Sequence, residues 1–190
     1  MSSRLPLTVL ALALFLAGCD RGADEAAQQQ QDLASEKAGL AGVVDRKMAG
    51  SEMPALSFED LDGNTLDLAA LKGAPVLINL WATWCAPCVI EMPMLDNLAN
   101  EMGEDLRVLT ISQDSKGAEV VAPFFAEHSY DNLESWLDPE NDLAFEMSGA
   151  GAMPLTVLYD ADGTELLRVA GGYHWDSEEA IALVSEAIGK

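Results

Sequence analysis

Histidine, cysteine and basic side chains are scarce in this chain, and each scarcity removes a class of function. Two histidines, His128 and His174, and three cysteines, Cys19, Cys85 and Cys88, are all that 190 residues contain. A structural zinc site needs four such ligands, and the histidines lie far apart without ligand-type spacing, so no metal site is expected. Ten Lys and Arg stand against 32 Asp and Glu, a formal net charge of -22. That charge repels phosphate backbones and anionic headgroups, which argues against nucleic-acid binding; solubility through self-repulsion is the plain reading of the acid. Aromatics make up only 6% of a chain that is 49% hydrophobic, a globular balance. The length suits one ordinary domain with extra sequence at one end.

The extra sequence is N-terminal. After Arg4 comes an apolar run from Leu5 to Ala17, whose 13 residues are too few for a comfortable membrane span and suit the core of a signal peptide. Leu16-Ala17-Gly18-Cys19 then resembles the lipobox of bacterial lipoproteins. The resemblance implies that residues 1–19 are a signal peptide ending in the lipobox and that Cys19 becomes the lipidated first residue of the mature chain. The alternative is an uncleaved anchor with an incidental cysteine. Similarity to enterobacterial lipoproteins makes Asp20 an inner-membrane retention signal where the source has that sorting system. From residue 20 to 50 the composition shifts to Ala, Gln, Glu, Asp and Gly, with a run from Gln28 to Gln31. Such a segment buries too little apolar surface to offset its ordering entropy and reads as a flexible tether, with a short helix around Leu33 to Met48.

With Cys19 given to lipid, Cys85 and Cys88 are the only thiols of the folded part. Export places them where disulfides persist. A purely structural bridge closing so short a loop removes little entropy from the unfolded chain, so a working redox pair is the leading reading.

Residues 51–190 are read as one α/β domain. Leu56 and Phe58, the turn Asp62-Gly63-Asn64, then Leu66 and Leu68 predict a hairpin. Pro75 to Ala82 is a nearly continuous apolar run, the mark of a strand buried on both faces. From Ala86 to Met102 the spacing becomes helical, with Val89, Met92, Leu95, Ala99 and Met102 on one stripe, Pro93 inside and Gly103 at the end. A strand from Leu106 to Ser112, a helix from Gly117 to His128, a short strand from Leu133 to Leu137 and a helix from Asp142 to Met147 follow. Leu155 to Tyr159 and Glu165 to Val169 form a second hairpin around Asp162-Gly163. Asp176-Ser177-Glu178-Glu179 has capping-box spacing ahead of a terminal amphipathic helix.

A CxxC where a buried strand turns into a helix has a physical logic. Unpaired N–H groups and the positive end of the helix dipole favour a thiolate at Cys85, while Cys88, one turn further in, is placed to attack a mixed disulfide. Pro87 occupies an early helical position at no hydrogen-bond cost.

VLINLWATWCAPC, the later Met153-Pro154 and the DADGTELLRVAGG hairpin together resemble the thioredoxin fold, and in particular its membrane-anchored extracytoplasmic branch typified by TlpA and ResA. The resemblance spans about Met53 to the C-terminus, and the TlpA side is favoured. It implies a central mixed sheet flanked by helices, with an N-terminal β-hairpin and a helix-strand insertion between Gly117 and Leu137. It also implies that Cys85 and Cys88 form the redox disulfide and that a cis Met153-Pro154 bond faces it, offering the Met153 backbone to an extended substrate. Trp84, Met153 and Pro154 are thus the expected substrate-binding residues. Trp81 and Trp84 are expected to shield the disulfide, with Trp81 in the core; His128, His174 and Trp175 receive no role.

One departure matters. Where thioredoxins keep a buried aspartate, six residues before the first Cys, this chain has Asn79, and an amide cannot carry protons. Glu91, three residues beyond Cys88 and so on the same side of a helix, is the nearby candidate. Its ordinary reading is a solvated helix glutamate. The resemblance to ResA-like proteins assigns it to the active site with Cys85 and Cys88, where burial would raise its pKa into the range of a general acid or base.

The function implied is an extracytoplasmic protein-disulfide reductase, needing no cofactor, lipid-anchored on the periplasmic side of the inner membrane and expected to be a monomer. The family's clients are apocytochrome c or the copper-binding proteins of cytochrome oxidase assembly, and its electron donor is an inner-membrane protein of the CcdA or DsbD type. Two alternatives stay open: a thiol peroxidase-like antioxidant, and a Cu(I)-binding module that uses the two thiolates with Met153.

Overall fold

The computed structural model describes residues 40–148 and 153–190. The signal peptide, Cys19 and the tether up to residue 39 lie outside the described residues. Among those described, no helix is long and apolar enough to cross a membrane.

Eight strands form one mixed sheet in the order β1-β8-β7-β4-β5-β6-β2-β3. Its centre is β4 (Val76–Trp81), buried at every position, as the unbroken apolar run predicts. β4 pairs in parallel with β5 (Arg107–Ser112) and antiparallel with β7 (Leu155–Tyr159). Both neighbours need covered faces, and helices supply them. On one face α1 (Ala86–Met102) and α4 (Glu178–Ala187) pack Leu95, Leu98, Ala180 and Val184 against Leu77, Val108 and Leu158. On the other, Ile78, Leu80, Leu109 and Val157 meet Leu143 and Met147 of α3 (Asp142–Ser148).

The expected hairpin is β2 (Ser57–Asp60) and β3 (Thr65–Asp67), with Phe58 opposite Leu66. It joins the sheet through β6 (Glu134–Leu137), so the inserted segment, α2 (Ala118–His128) followed by β6, is the bridge that carries it. Its turn is fixed by the Asp60 carboxylate, which accepts the N–H groups of Asp62 and Asn64 at 2.9 and 2.8 Å. Asp160 does the same for Asp162 and Thr164 in the turn between β7 and β8 (Glu165–Ala170). A register shift between Leu158 and Tyr159 changes the side-chain parity of β8 there. Glu165 and Arg168 then meet in an ion pair at 2.6 Å, both largely buried, and Arg168 Nη1 also donates to the Met147 carbonyl of α3.

Three expectations are corrected. The tether does not run to residue 50, and no helix forms over the described part of Leu33 to Met48. β1 (Val43–Asp45) instead pairs antiparallel with β8, Val43 opposite Ala170 and Asp45 opposite Arg168, and Leu40 is buried. The chain is extended here because β-branched Val43 and Val44 suit a strand and because Gly42 lets two backbones meet. Gly42 N donates to Gly172 O at 2.8 Å, and a Cβ on Gly42 would lie 2.7 Å from Gly171 O. The buried face of α1 is also wider than the predicted stripe: Val89 and Ala99 are half-buried, while Cys88, Glu91, Met94 and Leu98 are fully covered. Gly103 does end that helix, at φ 52°.

Candidate active site

β4 ends at Trp81, and α1 begins at Ala86 after four connecting residues. Cys85 is the N-cap of α1, with Ala86 and Pro87 in the first turn and the Val89 N–H donating to the Cys85 carbonyl at 3.0 Å. Cys85 and Cys88 are joined by a disulfide with Cα atoms 5.2 Å apart. Cys85 keeps 6% exposure and Cys88 none, and both lie in one buried cluster with Trp81, Met92 and Val121. The N-cap position places Cys85 at the positive end of the helix dipole, an environment that favours a thiolate over a thiol.

Glu91 is fully buried, not solvated. Its Oε1 accepts a hydrogen bond from Asn79 Nδ2 at 2.8 Å. Its Oε2 accepts from the Tyr173 N–H at 2.9 Å and from the Trp175 indole Nε1 at 3.2 Å. Burial pushes its pKa up to about 7, against the opposing pull of these three donors. Near neutral pH both protonation states are therefore populated. Asn79, whose Nδ2 also donates to Thr156 Oγ1 at 2.9 Å, is an anchor for the carboxyl rather than a proton carrier. Strand register explains the contact, because Asn79 of β4 lies directly opposite Thr156 of β7.

The Met153-Pro154 bond is cis, and Met153 packs in the cluster that contains both cysteines. Trp84 is 69% exposed beside Cys85, while Trp81 is completely buried. The inserted helix α2 roofs Trp81, with Phe124 and Phe125 ring centroids 5.0 and 5.8 Å away. His128 stacks on Phe124, with ring centroids 4.1 Å apart. Trp81, Cys85, Cys88 and Met153 are thus together, with Glu91 on the same helix behind them.

Two contributors carried no sequence signal that separated them from ordinary core or loop residues. Trp175 lies 84 positions from Glu91, and no local pattern links the two. Asp114 is 4% exposed; its carboxylate accepts the Thr83 N–H at 2.9 Å, the Thr83 hydroxyl at 2.8 Å and the Ser112 hydroxyl at 2.9 Å. It therefore fixes the turn that presents Trp84 and Cys85. The Ser-x-Asp spacing at the end of β5, next to a Thr two residues before the CxxC, is the only clue that could have found it.

The Redoxin profile matches residues 48–178, a span that holds the whole sulfur cluster and Glu91. The chain belongs to the Redoxin family. Within that family it is 33% identical over 149 residues to the thiol:disulfide interchange protein DsbE of Pseudomonas fluorescens biotype C, covering 74% of this chain and 80% of that one. It is 29% identical over 127 residues to the thiol-disulfide oxidoreductase ResA of Bacillus cereus strain ZK / E33L, covering 67% of this chain and 72% of the other. A crystal structure from Chlorobium tepidum, assigned as a thiol:disulfide interchange protein DsbE, superposes with a TM-score of 0.66 at 23% identity, over 74% of this chain and 98% of that one. The fold is thioredoxin-like, and this Redoxin protein is a thiol-disulfide oxidoreductase of the ResA/DsbE type.

Proposed function

We propose that this oxidoreductase reduces disulfides of client proteins outside the cytoplasm, held by lipid on Cys19 at the periplasmic face of the inner membrane. Its clients are proteins that must keep free thiols before receiving a cofactor: apocytochrome c, or copper-binding proteins of cytochrome oxidase assembly. The names of the ResA and DsbE relatives support thiol-disulfide chemistry, and the sequence around Cys19 supports the anchor.

The asymmetry of the pair carries the reading: a slightly exposed Cys85 at a helix N-terminus, a wholly buried Cys88 in the first turn, and a carboxyl with a pKa of about 7 one turn further on. In the reduced protein the Cys85 thiolate attacks a client disulfide, forming a Cys85–client bond while the client's other sulfur leaves as a thiolate and is protonated. Cys88 gives its proton to Glu91 and attacks the Cys85 sulfur. The second client sulfur leaves as a thiolate and takes up the proton from Glu91, so the client disulfide has gained two electrons and two protons while Cys85 and Cys88 are oxidised to the disulfide. Trp84, Met153 and Pro154 bind the client segment beside the sulfur, and a CcdA- or DsbD-type membrane protein reduces the pair again.

Replacing Cys88 with Ser in the native host removes the resolving sulfur, so clients remain bonded to Cys85 and can be identified by mass spectrometry. Capture of cytochrome or copper-site proteins supports the proposal. Absence of any mixed disulfide, or equal capture by a Cys85→Ser variant through Cys88, overturns it.

A further inference from the structure

The donors around Glu91 are unequally shared. Oε2 has two, from Tyr173 and Trp175 on the loop between β8 and α4; Oε1 has one, from Asn79 on β4. We propose that Trp175 is the positioning residue of Glu91: its indole N–H anchors Oε2 to that loop and leaves Oε1 as the oxygen that takes up and returns the proton. The inference rests on Glu91 being the proton carrier of the exchange reaction.

Three features support it. Trp175 is fully buried, and its ring meets Tyr173 edge-on at 5.0 Å, so its direction is set by packing. An indole can only donate, which means that its bond to Oε2 favours the charged carboxylate and cannot be kept by reversing roles. Oε2 already accepts two N–H groups, and a proton placed there would disturb both bonds, whereas one placed on Oε1 disturbs one. The neighbouring titratable groups are few. α1 brings the Cys88 thiol; the loop brings the Tyr173 hydroxyl, the His174 imidazole and exposed Asp176; β4 and β7 bring only neutral Asn79 and Thr156.

Removing the indole N–H while keeping an aromatic ring isolates its effect. In Trp175→Phe, the loss of a donor to the charged form shifts the Glu91 midpoint upward by about one pH unit. Two readouts follow it: the pH profile of Cys88-dependent resolution, and the protonated-carboxyl band of Glu91 in difference infrared spectra, assigned by its loss in Glu91→Gln. A Glu91→Gln/Trp175→Phe double variant has the profile of Glu91→Gln alone. Site-specific 3-benzothienylalanine at this position replaces N–H by sulfur in a ring of the same shape, and gives the same shift where phenylalanine disturbs folding. An infrared midpoint that coincides with the wild type in the isosteric variant overturns the inference. A Glu91→Gln profile identical to the wild type overturns the proton-carrier reading instead, and the infrared midpoint still reports the anchoring separately.

Discussion

Asn79 and Glu91, twelve residues apart, are joined at 2.8 Å inside the protein, where the amide donates to a carboxyl that burial has brought to a pKa of about 7. The strand side of this contact is neutral, so a single acid titrates there.

That titration has a consequence for folding. Glu91 is raised from 4.5 to about 7 in the folded state, so the native protein binds this proton more tightly than the unfolded chain does. Its stabilising effect is complete below about pH 4.5 and is lost as pH rises through about 7, a swing of up to about 3 kcal/mol. Glu91→Gln removes the swing. Urea unfolding of both proteins at pH 5 and pH 8 should show the stability of the wild type falling relative to the variant; parallel behaviour would contradict the burial.

Asn79→Asp restores the residue type of thioredoxins and places two carboxyls in contact. They cannot both ionise cheaply, and the pair should titrate in two steps, the upper one well above 7. The variant is expected to be stable at pH 6 and to lose several kcal/mol by pH 9 relative to wild type, on the order of a buried unpaired charge. A variant with unchanged pH dependence would mean that the new side chain turns away from Glu91.

Asp114 holds Thr83, and therefore Trp84 and Cys85, by two hydrogen bonds, and accepts a third from the Ser112 hydroxyl. Asp114→Ala strands the donors and is expected to cost about 2–3 kcal/mol, with slower disulfide exchange. Trp84→Ala differs: the side chain is 69% exposed, so stability should change by less than about 0.5 kcal/mol while client reduction weakens through a higher KM. Chemical denaturation alongside exchange kinetics separates the two cases.

The glycines that seat β1 make opposite predictions. A Cβ on Gly42 meets backbone oxygens at 2.7 and 2.8 Å, which cannot move aside while β1 stays paired. One on Gly172 meets Leu40 Cδ2, the end of a flexible side chain, and then Pro87 Cβ at 3.3 Å. Gly42→Ala should release β1, seen as rapid amide exchange in Val43–Asp45, whereas Gly172→Ala should shift Leu40 and keep β1 protected.

Much of this was readable in order along the chain. The apolar run of β4 announced a central strand, and α1 begins and ends where its spacing and Gly103 put it, because burial of those faces follows local pattern. The three-residue β1 has no period to detect, and its pairing partner lies more than 120 positions away. The site divides similarly. Cys85 and Cys88 stood out by spacing, and Glu91 was picked out by the resemblance to ResA-like proteins and not by its offset alone; the donors that hold its buried carboxyl, from Asn79, Tyr173 and Trp175, are brought together only by the sheet and the loop after β8.

Equilibration of the Cys85–Cys88 pair with glutathione or dithiothreitol buffers measures most directly which way electrons flow. A reductant requires a potential below about -180 mV, toward the thioredoxin end of the scale. A value near -120 mV, in the range of strong oxidants, would contradict the proposed role.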